Sequence, residues 1–158
     1  MKGDVRILEA LNELLTAELT AINQYFIHAK MLKNWGYRRL ADHKRKESIE
    51  EMRHADEVIE RILYLDGTPN MQRLNPVRVG EDPVEMHQLD LTLEMEAVAR
   101  LNGSIALATA VGDGGSRQLF ERILREEEEA VDFLETQLNL VKDLGKEHYL
   151  AQMMGELT

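Results

Sequence analysis

The sequence predicts an all-α fold: a four-helix bundle with one long crossover and a short C-terminal helix. Three observations point there. Apolar side chains recur every three or four positions along four long stretches, the period of a half-buried helix. Little of the chain alternates apolar and polar residues as a strand would. All three prolines, Pro69, Pro76 and Pro83, fall in one segment, GTPNMQRLNPVRVGEDP at 67–83, the main break in the pattern.

The first helix is expected over about 4–34, ending at the NWGY turn around Gly36. The second runs from about 38 to 65 and stops at Asp66-Gly67. The third begins near Pro83, whose fixed φ and missing N–H suit a first turn, and ends at GDGG, 112–115. The fourth starts at Ser116, read as its N-cap, and continues to Leu144-Gly145. A short fifth helix is expected over 147–156. Short turns make each pair of long helices a hairpin, and the 67–83 segment carries the chain between hairpins. Residues 1–158 read as one domain, long enough to bury a core without cross-links.

Cysteine is absent, which excludes disulfides, zinc–thiolate sites and cysteine nucleophiles. The start, MKGDVRILEALNELL, is charged throughout, unlike a signal peptide, and no apolar run approaches membrane length. A soluble, cytoplasmic protein with no membrane partner is expected. The net charge of −10, from 29 Asp+Glu against 19 Lys+Arg, has the wrong sign for a general nucleic-acid binder. It favours cations as partners, weakly.

The placement of the carboxylates says more than their number. Leu11, Leu15, Glu18, Ile22, Tyr25 and Ala29 form the stripe of the first helix. Leu40, Glu47, Glu51, His54, Val58, Ile62 and Leu65 form that of the second. On the third, Glu94 stands between Leu91 and Val98, in line with Val84, His87, Leu101, Ile105 and Ala108. The fourth carries REEEEAVDFL at 125–134, where one turn spreads four glutamates around the cylinder. Glu127 shares a face with Phe120, Ile123, Leu124, Val131 and Leu134, so it points inward. Glu129, beside Arg122, Arg125 and Asp132, points to water, and Glu126 and Glu128 flank the stripe. Every bundle helix thus has a glutamate midway along its core stripe.

Four ionised carboxylates in one core cost many kcal/mol unless a cation compensates them. A hard or borderline metal ion does so directly, taking carboxylate oxygen and imidazole nitrogen. Glu18 precedes Glu51 by 51 − 18 = 33 residues and Glu94 precedes Glu127 by 127 − 94 = 33, so the hairpins resemble two equivalent halves. Glu51-x-x-His54 sets a carboxylate and an imidazole one turn apart on one face. A dimetal carboxylate centre is the reading these residues favour.

At these residues the chain resembles the bacterioferritin family over essentially its full length. The resemblance rests on MKGD at the start, LTAELTAINQYFIHAKMLKNWG at 15–36, ESIEEMRHADEVIERILYLDG at 47–67 and FLETQLNLVKDLG at 133–145. It implies a ferritin-like bundle forming a hollow 24-mer cage of dimers that stores ferric mineral. It also implies a ferroxidase, oxidising Fe(II) with O2 or peroxide at a di-iron centre within each subunit, and haem b between paired subunits. A small ferredoxin-type electron donor is a partner implied in the same way.

Carried over residue by residue, the family's iron ligands fall on Glu18, Glu51, His54, Glu94 and Glu127. By that likeness Glu51 and Glu127 bridge, Glu18 and His54 terminate one iron, and Glu94 terminates the other. Tyr25 matches a tyrosine that orients a ligand; on the residues alone it reads equally as a core aromatic. Met52, by itself a candidate for interface packing, matches the haem-ligating methionine, one from each subunit across a twofold axis. It shares a second apolar face with Ile49, Ile59 and Leu63, next to Leu19, Ile22, Asn23 and Phe26 on the first helix.

The chain departs from the family pattern at Ala130. A second E-x-x-H is expected, and Glu127-x-x-Ala130 has a methyl in place of imidazole. One iron position loses its nitrogen ligand, which implies weaker metal and impaired oxidation by this subunit. Lys46 and Glu50 stand where the family often has a histidine and an aspartate on the inner face. His28, His43, His87 and His148 receive no assignment, although His87 reads as packed in the core and His148 as a channel candidate.

Other functions compete. Ala130 motivates a haem-donating subunit in a cage mixed with a second, complete bacterioferritin subunit. A DNA-protecting cage is opposed by the charge and the absent basic tail. A di-iron or di-manganese peroxidase shares the ligand set, but no substrate pocket is suggested.

Overall fold

The structure, a computed structural model, describes residues 1–157; Thr158, the last residue of the expected domain, lies outside the described residues. The chain forms α1 (Val5–Trp35), α2 (Arg38–Tyr64), α3 (Pro83–Val111), α4 (Gly114–Leu144) and α5 (Lys146–Ala151). Among the described residues there is no strand, and no helix is long and apolar enough to cross a membrane. α1 packs along α2 and α3 along α4, with α1 against α3 joining the two hairpins and α5 capping the end of α4.

Side chains set the helix ends. Asp4 accepts from the Arg6 N–H at 2.8 Å, and Asp82 accepts from Val84 and Glu85 ahead of α3. Gly36 closes α1 at φ 92°, a conformation that L side chains rarely adopt. The N-cap of α4 is Asp113, not Ser116: the Asp113 carboxylate accepts from the Ser116 backbone at 3.0 Å and its hydroxyl at 2.7 Å. The helix therefore begins two residues early, on glycines, and Gly115 has its own reason. A Cβ there would lie 2.7 Å from the Arg61 guanidinium, which reaches across from α2 to bind Asp113. α5 is shorter than expected, because Arg39 takes the carbonyls of Gln152 and Met153 and draws the chain out of the helix.

Two apolar clusters lie along the bundle. One holds Ile7, Leu11, Leu14, Leu15, Val58, Ile62, Leu101, Phe120 and Ile123. The other, at the α5 end, holds Leu32, Leu40, Met86 and Tyr149. Between them the core is polar. On α3 the inward face is rotated from the apolar reading: Asp90, Ala97 and Ser104 are buried, while Leu91, Val98 and Ile105 are half-buried.

The crossover is held by a polar ladder at four-residue spacing on α1. Asn12 donates to the Thr68 carbonyl and accepts from the Asn70 N–H. The Arg73 guanidinium donates to the Thr16 hydroxyl and the Asn75 N–H to the Thr20 hydroxyl. The Arg78 N–H donates to Gln24 and the Gly80 N–H to His28 Nε2. A segment without helix or sheet bonds of its own thus satisfies several of its backbone N–H groups on a neighbouring helix.

Candidate metal centre

The bundle brings Glu18, Glu51, His54 and Glu127 together from α1, α2 and α4. Their side chains are all buried, and one ligand atom from each lies within 4.8 Å of the others. Helical spacing puts Glu51 and His54 on one face of α2, and the antiparallel packing of α4 sets Glu127 opposite. His54 Nδ1 faces the carboxylates, at 3.2 Å from Glu127, 3.5 Å from Glu18 and 3.6 Å from Glu51. Glu94, from α3, is outside this quartet and is fixed by Tyr25, whose hydroxyl donates to it at 2.7 Å. Of the two readings open for Tyr25, a buried ring whose hydroxyl orients a carboxylate satisfies both.

The buried carboxylates crowd one another. Burial, then the neighbouring Glu18 and Glu94, push Glu51 well above the carboxylate range; burial and Glu127 do the same to Glu94. Burial raises Glu18, and burial followed by Glu51 raises Glu127 to about 7. Burial disfavours charge on His54, but Glu127, Glu18 and Glu51 outweigh it and raise its pKa. Glu18 Oε2, Glu94 Oε2 and His54 Nδ1 are buried without a hydrogen bond. Orphaned buried oxygens and nitrogen on converging side chains are the donor set a metal ion uses.

Two openings reach this centre from opposite sides. Between α2 and α4 lies a vestibule of about 340 Å³, walled by His43, Glu47, Glu50, Glu126, Glu129 and Ala130 with Glu51, His54 and Glu127 at its floor. Ala130 is buried in that wall, one turn from Glu127. Glu126, which the sequence placed only at the edge of its stripe, pairs with His54 Nε2. Between α1 and α3, under the crossover, a neck of about 30 Å³ descends past Ala17, Ala21 and Ala97 to Glu18, Glu51, Glu94 and Glu127. Its outer lining includes Arg78, Arg100 and Glu96, with Arg78 paired to Glu96 at 3.3 Å.

Beside the centre is a buried network that the periodicity did not reveal. Lys44, fully buried, donates to Asp90 at 2.7 Å and to His87 Nδ1 at 3.0 Å. Gln24 and His28 complete the shell of Asp90, at 2.8 Å and 3.0 Å. Tyr149 of α5 donates to Gln137, so His87 Nε2 must donate to the Tyr149 oxygen. Burial and Lys44 hold His87 neutral, its pKa pushed down to about 2; Lys44 and His28 overcome burial to keep Asp90 ionised. His87 is packed in the core, as its position on the stripe implied. His43 stacks on Phe133 at 3.6 Å, and His148 is exposed.

Met52 lies away from the centre, more than half exposed on the outer face of α2 with Ile49, Leu63 and, on α1, Phe26 also exposed. Ile59, Leu19 and Ile22 are half-buried and pack partly on the core.

Comparison with known proteins agrees with this architecture. The ferritin-like domain model matches residues 8–144. Bacterioferritin of Mycolicibacterium paratuberculosis is 51% identical over 155 residues, covering 98% of each chain. Bacterioferritin BfrA of Mycobacterium tuberculosis is 50% identical over 155 residues, again 98% of each chain. Bacterioferritin of Streptomyces coelicolor is 51% identical over 156 residues, 99% of this chain and 93% of that one. With a bundle of the expected topology and relatives at half identity over nearly its whole length, the chain belongs to the bacterioferritin family of ferritin-like proteins.

Proposed function

We propose that this chain is an iron-storage cage subunit whose Glu18, Glu51, His54, Glu94 and Glu127 bind ferrous iron for oxidation. The observation that carries the reading is the buried quartet with its orphaned Glu18 Oε2 and His54 Nδ1, joined by Glu94 with its own orphaned oxygen. Ferrous ions are the substrate. Binding displaces protons from carboxyls that burial and mutual repulsion keep protonated, Glu51, Glu94 and Glu127 above all. Two ferrous ions give one electron each to dioxygen, which takes up two protons and leaves as hydrogen peroxide. Tyr25 holds Glu94 in place during this exchange.

Haem fits the outer face of α2. Met52 offers an exposed thioether amid Phe26 and Ile49, and a second copy supplies the same surface across a twofold axis. Arg45 and Lys33, two turns along from Met52 and Phe26, line a basic pocket suited to carboxylate groups of such a ligand. Bound haem supplies a one-electron carrier for reducing stored iron, with a small ferredoxin as the chemical class of donor.

Stopped-flow oxidation of Fe(II) by the purified cage, with an absorption spectrum before iron addition, tests both parts. Faster oxidation than in buffer, lost in Glu51→Ala, supports the centre; no rate above buffer removes it. A Soret band lost in Met52→Leu supports the haem site, and a band unaffected by that change refutes it. Ala130 favours a second reading, a haem-carrying subunit co-assembled with one that has both histidines. Homopolymers that oxidise iron as fast as the Ala130→His variant leave that reading without a basis.

A further inference from the structure

The two openings differ in size and in sign, and the difference assigns them different traffic. Resting on the centre proposed above, we infer that the α1–α3 neck admits the neutral oxidant and rejects divalent cations, which enter by the α2–α4 vestibule. A cavity needs about 10–15 Å³ per water, so the neck, about 30 Å³, has room for two or three waters. A divalent ion with six waters does not pass without shedding most of its shell, a large desolvation cost. Dioxygen or peroxide is near the size of one or two waters and carries no charge.

Charge acts in the same direction. The neck's lining outside the carboxylate centre carries two guanidinium groups, Arg78 and Arg100, against the single carboxylate of Glu96. The Arg78–Glu96 pair neutralises one of them and leaves Arg100 to repel cations from the passage. Ala17, Ala21 and Ala97 keep the neck open only to something small; a larger side chain at any of the three closes it.

The vestibule is the opposite case. At about 340 Å³ it holds a hydrated ion, and Glu47, Glu50, Glu126 and Glu129 line it with no lysine or arginine in the wall. Arg53 pairs with Glu50 and Glu126 with His54, so Glu129 supplies the uncompensated attraction, joined by the ionised fraction of Glu47, whose pKa burial and then Glu51 push up to about 7. His43 beside them does not offset it, since burial and then Lys44 and Lys46 push its pKa down to about 4. His54 is at the floor, its Nε2 paired with Glu126 of the wall and its Nδ1, buried and without a hydrogen bond, turned to the carboxylates behind. Ala130 widens this route where an imidazole would narrow it.

Cobalt(II), read by its visible absorption in stopped flow on the intact cage, measures cation entry without oxidation. Oxidant entry is measured by mixing anaerobically iron-loaded cage with dioxygen. Glu47→Gln/Glu129→Lys is expected to slow cobalt loading about tenfold and abolish its salt dependence, while the oxidant step stays within about twofold. Ala97→Leu is expected to do the reverse. Arg78→Glu, a change at a half-exposed position that spares the core, is expected to leave cobalt loading slow in the vestibule variant, because the neck stays too narrow for a hydrated ion and keeps Arg100. If Ala97→Leu slows cobalt loading as much as the vestibule variant does, or if Arg78→Glu restores that variant's loading, the assignment of routes is wrong while the centre stands. A wild-type cage that takes up no cobalt refutes the centre and the routes together.

Discussion

Replacing Glu127 by glutamine separates stability from metal binding at this site. In the metal-free protein Glu127 titrates at about 7, raised from an ordinary 4.5 first by burial and then by Glu51. The folded state therefore holds a proton that the unfolded chain releases above pH 4.5. The stability this contributes is fully present below pH 4.5 and is lost as pH rises through 7. For an isolated group that interval corresponds to roughly 3 kcal/mol, at about 1.4 kcal/mol per pH unit. Sharing of protons with Glu94 and Glu51 lowers the expected drop between pH 5 and 8 to about 1–3 kcal/mol. Glu127→Gln keeps the shape, removes the charge and flattens the dependence, so the metal-free variant is more stable than the parent at pH 8. The same change weakens metal binding at least about tenfold, because an amide oxygen replaces a carboxylate. Urea unfolding of chelator-treated cage at pH 5 and 8, at one protein concentration, measures the first effect, and cobalt titration the second. Metal-free stability that rises between pH 5 and 8, or a variant no more stable than the parent at pH 8, would refute the reasoning.

Three further outcomes follow from the geometry. Lys44→Met strands the buried carboxylate of Asp90 and is expected to cost about 3 kcal/mol, with most of the loss recovered in Lys44→Met/Asp90→Asn; denaturant midpoints of the two variants check it. Ala130→His places an imidazole in a vestibule with room for it, one turn from Glu127, and is expected to tighten metal binding by roughly 10–100-fold in a cobalt titration. Tyr149→Phe removes the bond to Gln137 and leaves the His87 N–H without its acceptor, costing about 1–2 kcal/mol and loosening α5, measurable by hydrogen exchange at that end of the bundle.

Period and punctuation were enough for the bundle. Helical spacing located four long helices to within a residue or two, and the clustered prolines located the crossover. Inward glutamates at 18, 51, 94 and 127 were legible because a carboxylate in an apolar stripe contradicts its surroundings, and the contradiction survives in one dimension. Residues whose partners come from other elements were not legible. Lys44 and Asp90 look like ordinary surface charges until α2 and α3 meet, and the Asn12, Thr16, Thr20, Gln24 and His28 ladder acquires meaning only when the crossover lies along it. Asp113 displaced Ser116 as the cap of α4 for the same reason: Arg61, from another helix, helps fix its carboxylate. By itself the sequence determined which helices form and which carboxylates are forced inward, since both follow from the spacing of side chains along one helix. Only the tertiary structure decided that Glu94 stands apart with Tyr25 and that the centre has two openings of opposite charge. Those depend on distances between helices, which spacing along a single helix does not encode.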